Sequence, residues 1–273
     1  MSNDDELWID HRGARLFARK QGTGTPLVFL HGGLADHRAS VFRLGALATT
    51  HRLITPDVRA AGRSHYAGAL DWDLLTSDVV ALLDALALER AVIGGISFGS
   101  AIATRFALRH GARAQALISM SPAHLGTAIG ASAAMRASTA RMDAAGRRAP
   151  REGIAAIRPL YEGLPTEVRA MALAMIEGFD PASVAATTRF LAGCTQPFDR
   201  LEELATLTMP VAIVPGTDDD HPAVVAESYA RTIAGATVVP AGPRVVETLR
   251  GWLAQVCAPG RGAVRARASS CDR

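Results

Sequence analysis

The fold is decided by one stretch, Ala91-Val92-Ile93-Gly94-Gly95-Ile96-Ser97-Phe98-Gly99-Ser100-Ala101-Ile102, and its continuation to His110. The opening Ala91-Val92-Ile93 is short, apolar and β-branched, as suits a strand buried on both faces of a parallel sheet. The continuation carries Ile102, Phe106 and Leu108 at helix-compatible spacing. Ser97 stands where the strand pattern gives way to the helical one, inside Gly95-Ile96-Ser97-Phe98-Gly99. A Gly-x-Ser-x-Gly run in that setting makes a sharp, strained turn that exposes the serine hydroxyl, and the positions two before and two after it must be small. Gly95 and Gly99 meet that demand, which makes Ser97 a candidate nucleophile.

Working outward, the first half alternates short apolar runs with helical periodicity, the signature of a mostly parallel sheet flanked by helices. Strands are predicted at 7–10, 15–20, 27–30, 52–56, 91–96 and 116–120, the first two as an antiparallel hairpin turned by Gly13. Helices are predicted at 38–48, 72–86 and 97–110; Leu75, Val79, Leu82 and Leu86 of the second recur at core spacing. From about 122 to 206 the strand pattern vanishes, and Ala, Met, Arg and Leu form helical groups broken by Pro150, Pro165, Pro181 and Pro197. Strands return at 211–214 and 237–239, with helices at 223–233 and 245–256. The expected organisation is a core in two parts, 1–121 and 207–258, a helical insertion at 122–206, and a basic tail at 259–273, disordered for want of any apolar period.

Composition narrows the function classes. A chain of 273 residues with 49% hydrophobic content can bury a large core. Its net charge of +3 rests on arginine, with Lys20 the only lysine, and much of the excess lies in the tail at Arg261, Arg265, Arg267 and Arg273. Aromatics are only 5%, so the basic clusters interleaved with stacking rings that nucleic-acid binding needs are missing. Cys194, Cys257 and Cys271 are odd in number and widely spaced, which suggests neither a disulfide framework nor a zinc site and fits a reducing cytoplasm. The acidic start Met1-Ser2-Asn3-Asp4-Asp5-Glu6 is unlike a signal peptide, and no apolar run is long enough to cross a bilayer.

Together these features resemble the α/β-hydrolase fold family with a helical cap between the sixth and seventh strands. Besides the Ser97 turn, three segments carry the resemblance. His31-Gly32-Gly33 follows the third strand as the family's oxyanion loop does; Asp57-Val58-Arg59-Ala60-Ala61-Gly62-Arg63-Ser64 resembles its D-x-R-x-x-G-x-S loop; Gly216-Thr217-Asp218-Asp219 falls where its acid follows the seventh strand. The resemblance implies Ser97 as nucleophile, the Gly33 and Phe98 amides as oxyanion donors, Asp219 as acid by family spacing, no cofactor or metal, and a small-molecule, apolar substrate. Asp57 and Arg59 are expected to hold their loop, and Asp220 to cap the helix after Pro222.

One part of the pattern is missing. The family's base is a histidine after the last strand, yet Thr237-Val238-Val239-Pro240-Ala241-Gly242-Pro243-Arg244 runs into the closing helix without one. A serine hydroxyl is hardly nucleophilic unless its proton is taken as it attacks. His124, just past the sixth strand, and His221, two residues beyond Asp219, are the candidate substitutes, with His65 near the same rim. The insertion offers Met135, Met142, Met171, Met175, Tyr161, Phe179, Phe190 and Phe198 as candidate linings of a substrate cavity. The expected function is hydrolysis of an ester, lactone, thioester or related carbonyl compound with an unconventional base. The alternatives are a binding protein whose catalytic set has decayed, and a non-hydrolytic cyclase or lyase that uses the oxyanion pocket.

Overall fold

A computed structural model describes residues 5–258; the expected tail at 259–273 lies outside them. Among the described residues eight strands form one sheet: β1 (Asp5–His11), β2 (Ala14–Gln21), β3 (Thr25–Leu30), β4 (His51–Pro56), β5 (Ala91–Ile96), β6 (Ala114–Met120), β7 (Val211–Val214) and β8 (Thr237–Val238). Their order is β1-β2-β4-β3-β5-β6-β7-β8. β1 pairs antiparallel with β2 and β2 with β4, while all pairs from β4 to β8 are parallel. The β1–β2 hairpin turns on Arg12 and Gly13, both with positive φ (42° and 76°), the primed turn whose twist matches that of the strands.

Nine α-helices accompany the sheet: α1 (His37–Leu44), α2 (Trp72–Ala85), α3 (Phe98–Arg109), α4 (Ala133–Gly146), α5 (Ala149–Glu152), α6 (Thr166–Ile176), α7 (Pro181–Ala192), α8 (Ala223–Thr232) and α9 (Val245–Val256) among the described residues. Alternation along β3 distributes them. Val28 and Leu30 join a core with Leu75, Ile102, Phe106 and Tyr229 from α2, α3 and α8. Leu27 and Phe29, on the other face, pack with Leu44, Leu249, Trp252 and Leu253 from α1 and α9. Each fully buried Leu, Ile or Phe contributes about 1.5–3 kcal/mol, so this two-sided burial makes β3, β5 and β6 a rigid platform.

Between β6 and β7 the described residues contain helices and turns but no strand. These helices build their own core from Ile157, Tyr161, Met175, Ile176 and Val184. α4 crosses α7 closely: a methyl group on Gly146 would lie 2.0 Å from Thr188 Oγ1. Hydrogen bonds tie the segment down over the carboxyl ends of the strands. Tyr161 Oη donates to Leu34 O (2.6 Å), Thr187 Oγ1 to Ala60 O (2.9 Å), Arg38 to Met175 O (2.7 Å) and Trp72 Nε1 to Thr195 Oγ1 (3.0 Å). No helix among the described residues is long and apolar enough to cross a membrane.

Candidate active site

Ser97 sits between β5 and α3 with φ 55° and ψ −117°, a conformation costly for any residue with a side chain. Packing around the turn enforces it. A Cβ at Gly95 would lie 2.3 Å from the Gly99 carbonyl carbon, and one at Gly99 only 2.4 Å from Leu30 O. The Ser97 amide donates to Met120 O (3.0 Å) on β6, and its carbonyl accepts the first turn of α3 from Ala101 N (3.1 Å). The hydroxyl does not cap the helix it precedes and is free to turn outward.

That hydroxyl meets His221. Ser97 Oγ lies 2.7 Å from His221 Nε2, and His221 Nδ1 lies 2.7 Å from Asp218 Oδ1. A carboxylate only accepts, so Nδ1 carries the proton and Nε2 presents a lone pair to which Ser97 Oγ–H donates. The loop after β7 bends to allow this. The His221 amide donates both to Asp218 O (3.1 Å) and to Asp218 Oδ1 (2.9 Å), closing a turn in which one carboxylate oxygen holds both backbone and ring. Gly216 makes the room: a Cβ there would stand 2.2 Å from His221 O.

The carboxylate that meets His221 is not the expected Asp219. Asp219 is exposed and makes no hydrogen bond or ion pair among the described residues, and the partner of His221 is Asp218, which family spacing passed over. The signal available in sequence was Asp-x-x-His, the spacing at which an aspartate accepts from the amide three residues on. Asp220 does not cap α8, whose N-cap is Pro222; it accepts instead from Ser138 Oγ of α4 (2.7 Å). His65 is exposed and outside the cavity lining. His124 makes no hydrogen bond with Ser97; its ring packs edge-on against Trp72 at 5.6 Å between centroids. Burial, with the nearby charge of His221, lowers its pKa to about 4, so it stays neutral near neutral pH.

Gly33 and Phe98 stand together beside the serine, a Cβ at Gly33 falling 4.0 Å from that of Phe98 and one at Gly32 3.6 Å from that of Ser97. Neither the Gly33 nor the Phe98 amide donates to another backbone group among the described residues. Phe98 also opens α3, whose first amides and dipole favour an anion. The loop is held by His31, whose Nε2 accepts from Val58 N (2.9 Å) while Nδ1 donates to Gly32 O (2.8 Å). This fixes a neutral imidazole, and burial lowers its pKa.

Asp57 and Arg59 serve as scaffolding. Asp57 accepts from the His37 amide (2.7 Å) and ring (2.8 Å) and from Arg63 N (2.7 Å). Burial pushes its carboxyl up, but bonding to His37 and that ring's charge outweigh it and hold the pKa below the ordinary value. Buried Arg59 forks onto Asp78 at 2.9 and 2.6 Å and also donates to His11 O and Arg12 O. Asp36, His37 and Asp57 lie close enough to suggest a metal site. Their ligand atoms are already engaged by Arg38, Arg63 and one another, so the donor set does not fit a cation.

A cavity of about 430 Å³ opens between the sheet and the helical segment, reaching Ser97 and His221. Met135, Met142, Met171, Met175, Tyr161 and Phe190 line it. Phe179 and Phe198, expected with them, do not; Phe179 fills the core of the helical segment and Phe198 the core beneath α3 and α8. Sequence could not separate these roles, since one apolar periodicity serves both.

Comparison with known proteins follows the same lines. A family model described as the alpha/beta hydrolase fold matches residues 25–156. The chain is 37% identical over 111 residues to the AB hydrolase superfamily protein YisY of Bacillus subtilis, covering 40% of this chain and 41% of that protein. It is 33% identical over 116 residues to 2-hydroxymuconate semialdehyde hydrolase of a Pseudomonas species, covering 41% of each. The matched segment thus spans about two fifths of either relative's length. Among solved structures, a thermophilic esterase from Thermogutta terrifontis superposes with a TM-score of 0.74 at 24% identity, covering 92% of this chain and 99% of that one. The enol-lactonase from Burkholderia xenovorans gives 0.73 at 20% identity, again covering 92% and 99%. At these identities the structures establish a shared fold.

Proposed function

The chain belongs to the α/β-hydrolase fold family, and from that premise we propose that it is a serine hydrolase of small carboxylic esters, lactones or thioesters. The observation that carries this reading is the continuous chain Ser97 Oγ, His221, Asp218, with both contacts at 2.7 Å. Ser97 attacks the substrate carbonyl as His221 Nε2 takes its proton. Asp218 keeps the other ring nitrogen protonated and favours the imidazolium that forms. The Gly33 and Phe98 amides receive the negative charge on the former carbonyl oxygen, where each such donor is worth about 3–4 kcal/mol. His221 then protonates the leaving oxygen or sulfur. In the second half it draws a proton from water as that water attacks the acyl-serine, and returns it to Ser97 as the acid departs.

The base and its acid come from one loop, three residues apart. This contraction accounts for the missing histidine after β8: His221 supplies from the β7 side what the short β8–α9 connection lacks. The alternative of an inert binding protein rested on the absence of a base, and the His221 contact with Ser97 favours the enzyme reading over it. Similarity to esterases, a lactonase and a semialdehyde hydrolase agrees with acyl chemistry, and the apolar methionine-rich lining agrees with a medium-sized apolar substrate.

The test is covalent labelling with a fluorophosphonate. The reading expects labelling of the wild type that disappears in Ser97→Ala. Absence of labelling across the pH range would sink it in favour of a binding protein or of the cyclase or lyase alternative, in which the amides polarise a carbonyl without acyl transfer.

A further inference from the structure

His124 has no part in the proton transfers above, yet it lies in the same cavity as Ser97 and His221. It follows β6 in the irregular connection 121–126, begun by Ser121 with φ 47°. Its backbone is held: the carbonyl accepts from Tyr229 Oη (3.0 Å), whose ring is fixed in the core. Its side chain is positioned by shape alone. Trp72 supports the ring edge-on, and Trp72 itself packs on Phe98 (5.8 Å) and Phe190 (5.1 Å). Neither ring nitrogen has a hydrogen-bond partner among the described residues. The ring is only partly buried and its nitrogens are not sealed from solvent, so they remain open toward the cavity that the residue lines. The imidazole offers one donor and one acceptor to whatever occupies a cavity with mostly apolar walls. Its depressed basicity removes the option of serving as a cation. The charged groups of the lining are accounted for differently: Asp220 is engaged by Ser138, and Arg43 reaches the cavity from the exposed side of α1.

We propose that His124 is a substrate-positioning and specificity-determining residue, which hydrogen-bonds an uncharged hydroxyl or carbonyl group carried by the substrate near its scissile bond. The natural substrate is then a hydroxy- or oxo-substituted ester or lactone and not a plain aliphatic ester. This deepens the reading of Ser97 and His221 as the reacting pair and rests on it. A hydroxyl placed in an apolar pocket with no partner is penalised, whereas a pocket built to receive it rejects the analogue lacking it. The sign of discrimination between hydroxyl and methyl therefore reports the His124 contact.

The experiment compares isosteric esters that differ by one hydroxyl in place of one methyl. Ethyl β-hydroxybutanoate against ethyl isovalerate probes the acyl side; hydroxyethyl butanoate against propyl butanoate probes the alcohol side. Dissociation constants are measured calorimetrically on the full-length Ser97→Ala protein, and kcat/KM on the protein with Ser97 intact. At least one pair should favour the hydroxyl partner by about tenfold, the effect of one well-made hydrogen bond, and His124→Phe should reverse that preference toward the methyl partner. The readout is a ratio within one protein, which a general loss of activity does not move; His124→Leu gives the same ratio should the Phe variant not fold. A wild-type preference for methyl in both pairs, or a hydroxyl preference that survives His124→Phe, overturns the proposal. Fluorophosphonate labelling of the wild type is scored separately. If labelling fails while the calorimetric preference and its reversal hold, the serine reading falls and the His124 contact stands.

Discussion

The two halves of the site are held by opposite means. The Ser97 turn is enforced from all sides, with strand pairing beneath it, a helix leaving it, and Gly95 and Gly99 pressed against backbone at under 2.5 Å from any added Cβ. The Asp218–His221 turn hangs outside the sheet, held by one carboxylate and the gap at Gly216. Asp218 is 63% exposed and His221 20%. Ser97, the proposed nucleophile, is thus positioned by packing that tolerates no change, and His221, its proposed base, by local hydrogen bonds within a short loop. Such a loop can hold base and acid at different sequence positions while the elbow stays constant.

The largest expected break in this comparison is Ser97→Ala, which should lower ester turnover by about a millionfold, the scale for losing a serine nucleophile; turnover of p-nitrophenyl butanoate measures it. Gly216→Ala attacks the other half. Its methyl group collides with the His221 backbone, so turnover should fall about a hundredfold or more through misplacement of the base, with thermal stability changed far less than by Gly99→Ala. Asp218→Asn should cost about a hundredfold, less than the 10⁴ seen where the acid is buried, because water screens an exposed carboxylate. Asp219→Asn should leave kcat/KM within about twofold. Equal losses at 218 and 219 would contradict the assignment of Asp218.

A smaller effect belongs to His124. Its folded pKa of about 4 lies below the ordinary 6.5, so the unfolded chain binds the proton more readily and stability falls as pH drops. The contribution is fully present above about 6.5 and is lost progressively toward 4, amounting to about 2–3 kcal/mol at pH 4.5 by linkage. Urea unfolding at pH 7.5 and 4.5 should show this loss in the wild type and a smaller one in His124→Phe. An identical loss in both would remove His124 as its source.

How much of this was legible in sequence follows the same division. The sheet was readable because β3, β5 and β6 are apolar runs of six, six and seven residues buried on both faces, a length that suits a strand and falls short of an ordinary helix. Ser97 was readable because steric demand reaches the sequence directly as Gly95 and Gly99. The partner of His221 was legible only as the Asp-x-x-His spacing: three consecutive aspartates, Asp218, Asp219 and Asp220, are chemically equal, and the backbone turn sends the first to His221 and the third to Ser138. The cavity walls were half legible, since Met175 and Phe190 share a helical apolar pattern with Phe179, which packs inward.

The central claim is that a histidine three residues from its acid, on the β7 loop, activates Ser97. The most direct measurement is the second-order rate constant for fluorophosphonate labelling of Ser97 in the wild type and in His221→Ala, with folding checked by circular dichroism. A fall of about a thousandfold or more is predicted, as for removal of a general base; labelling that proceeds at the wild-type rate without His221 would contradict it.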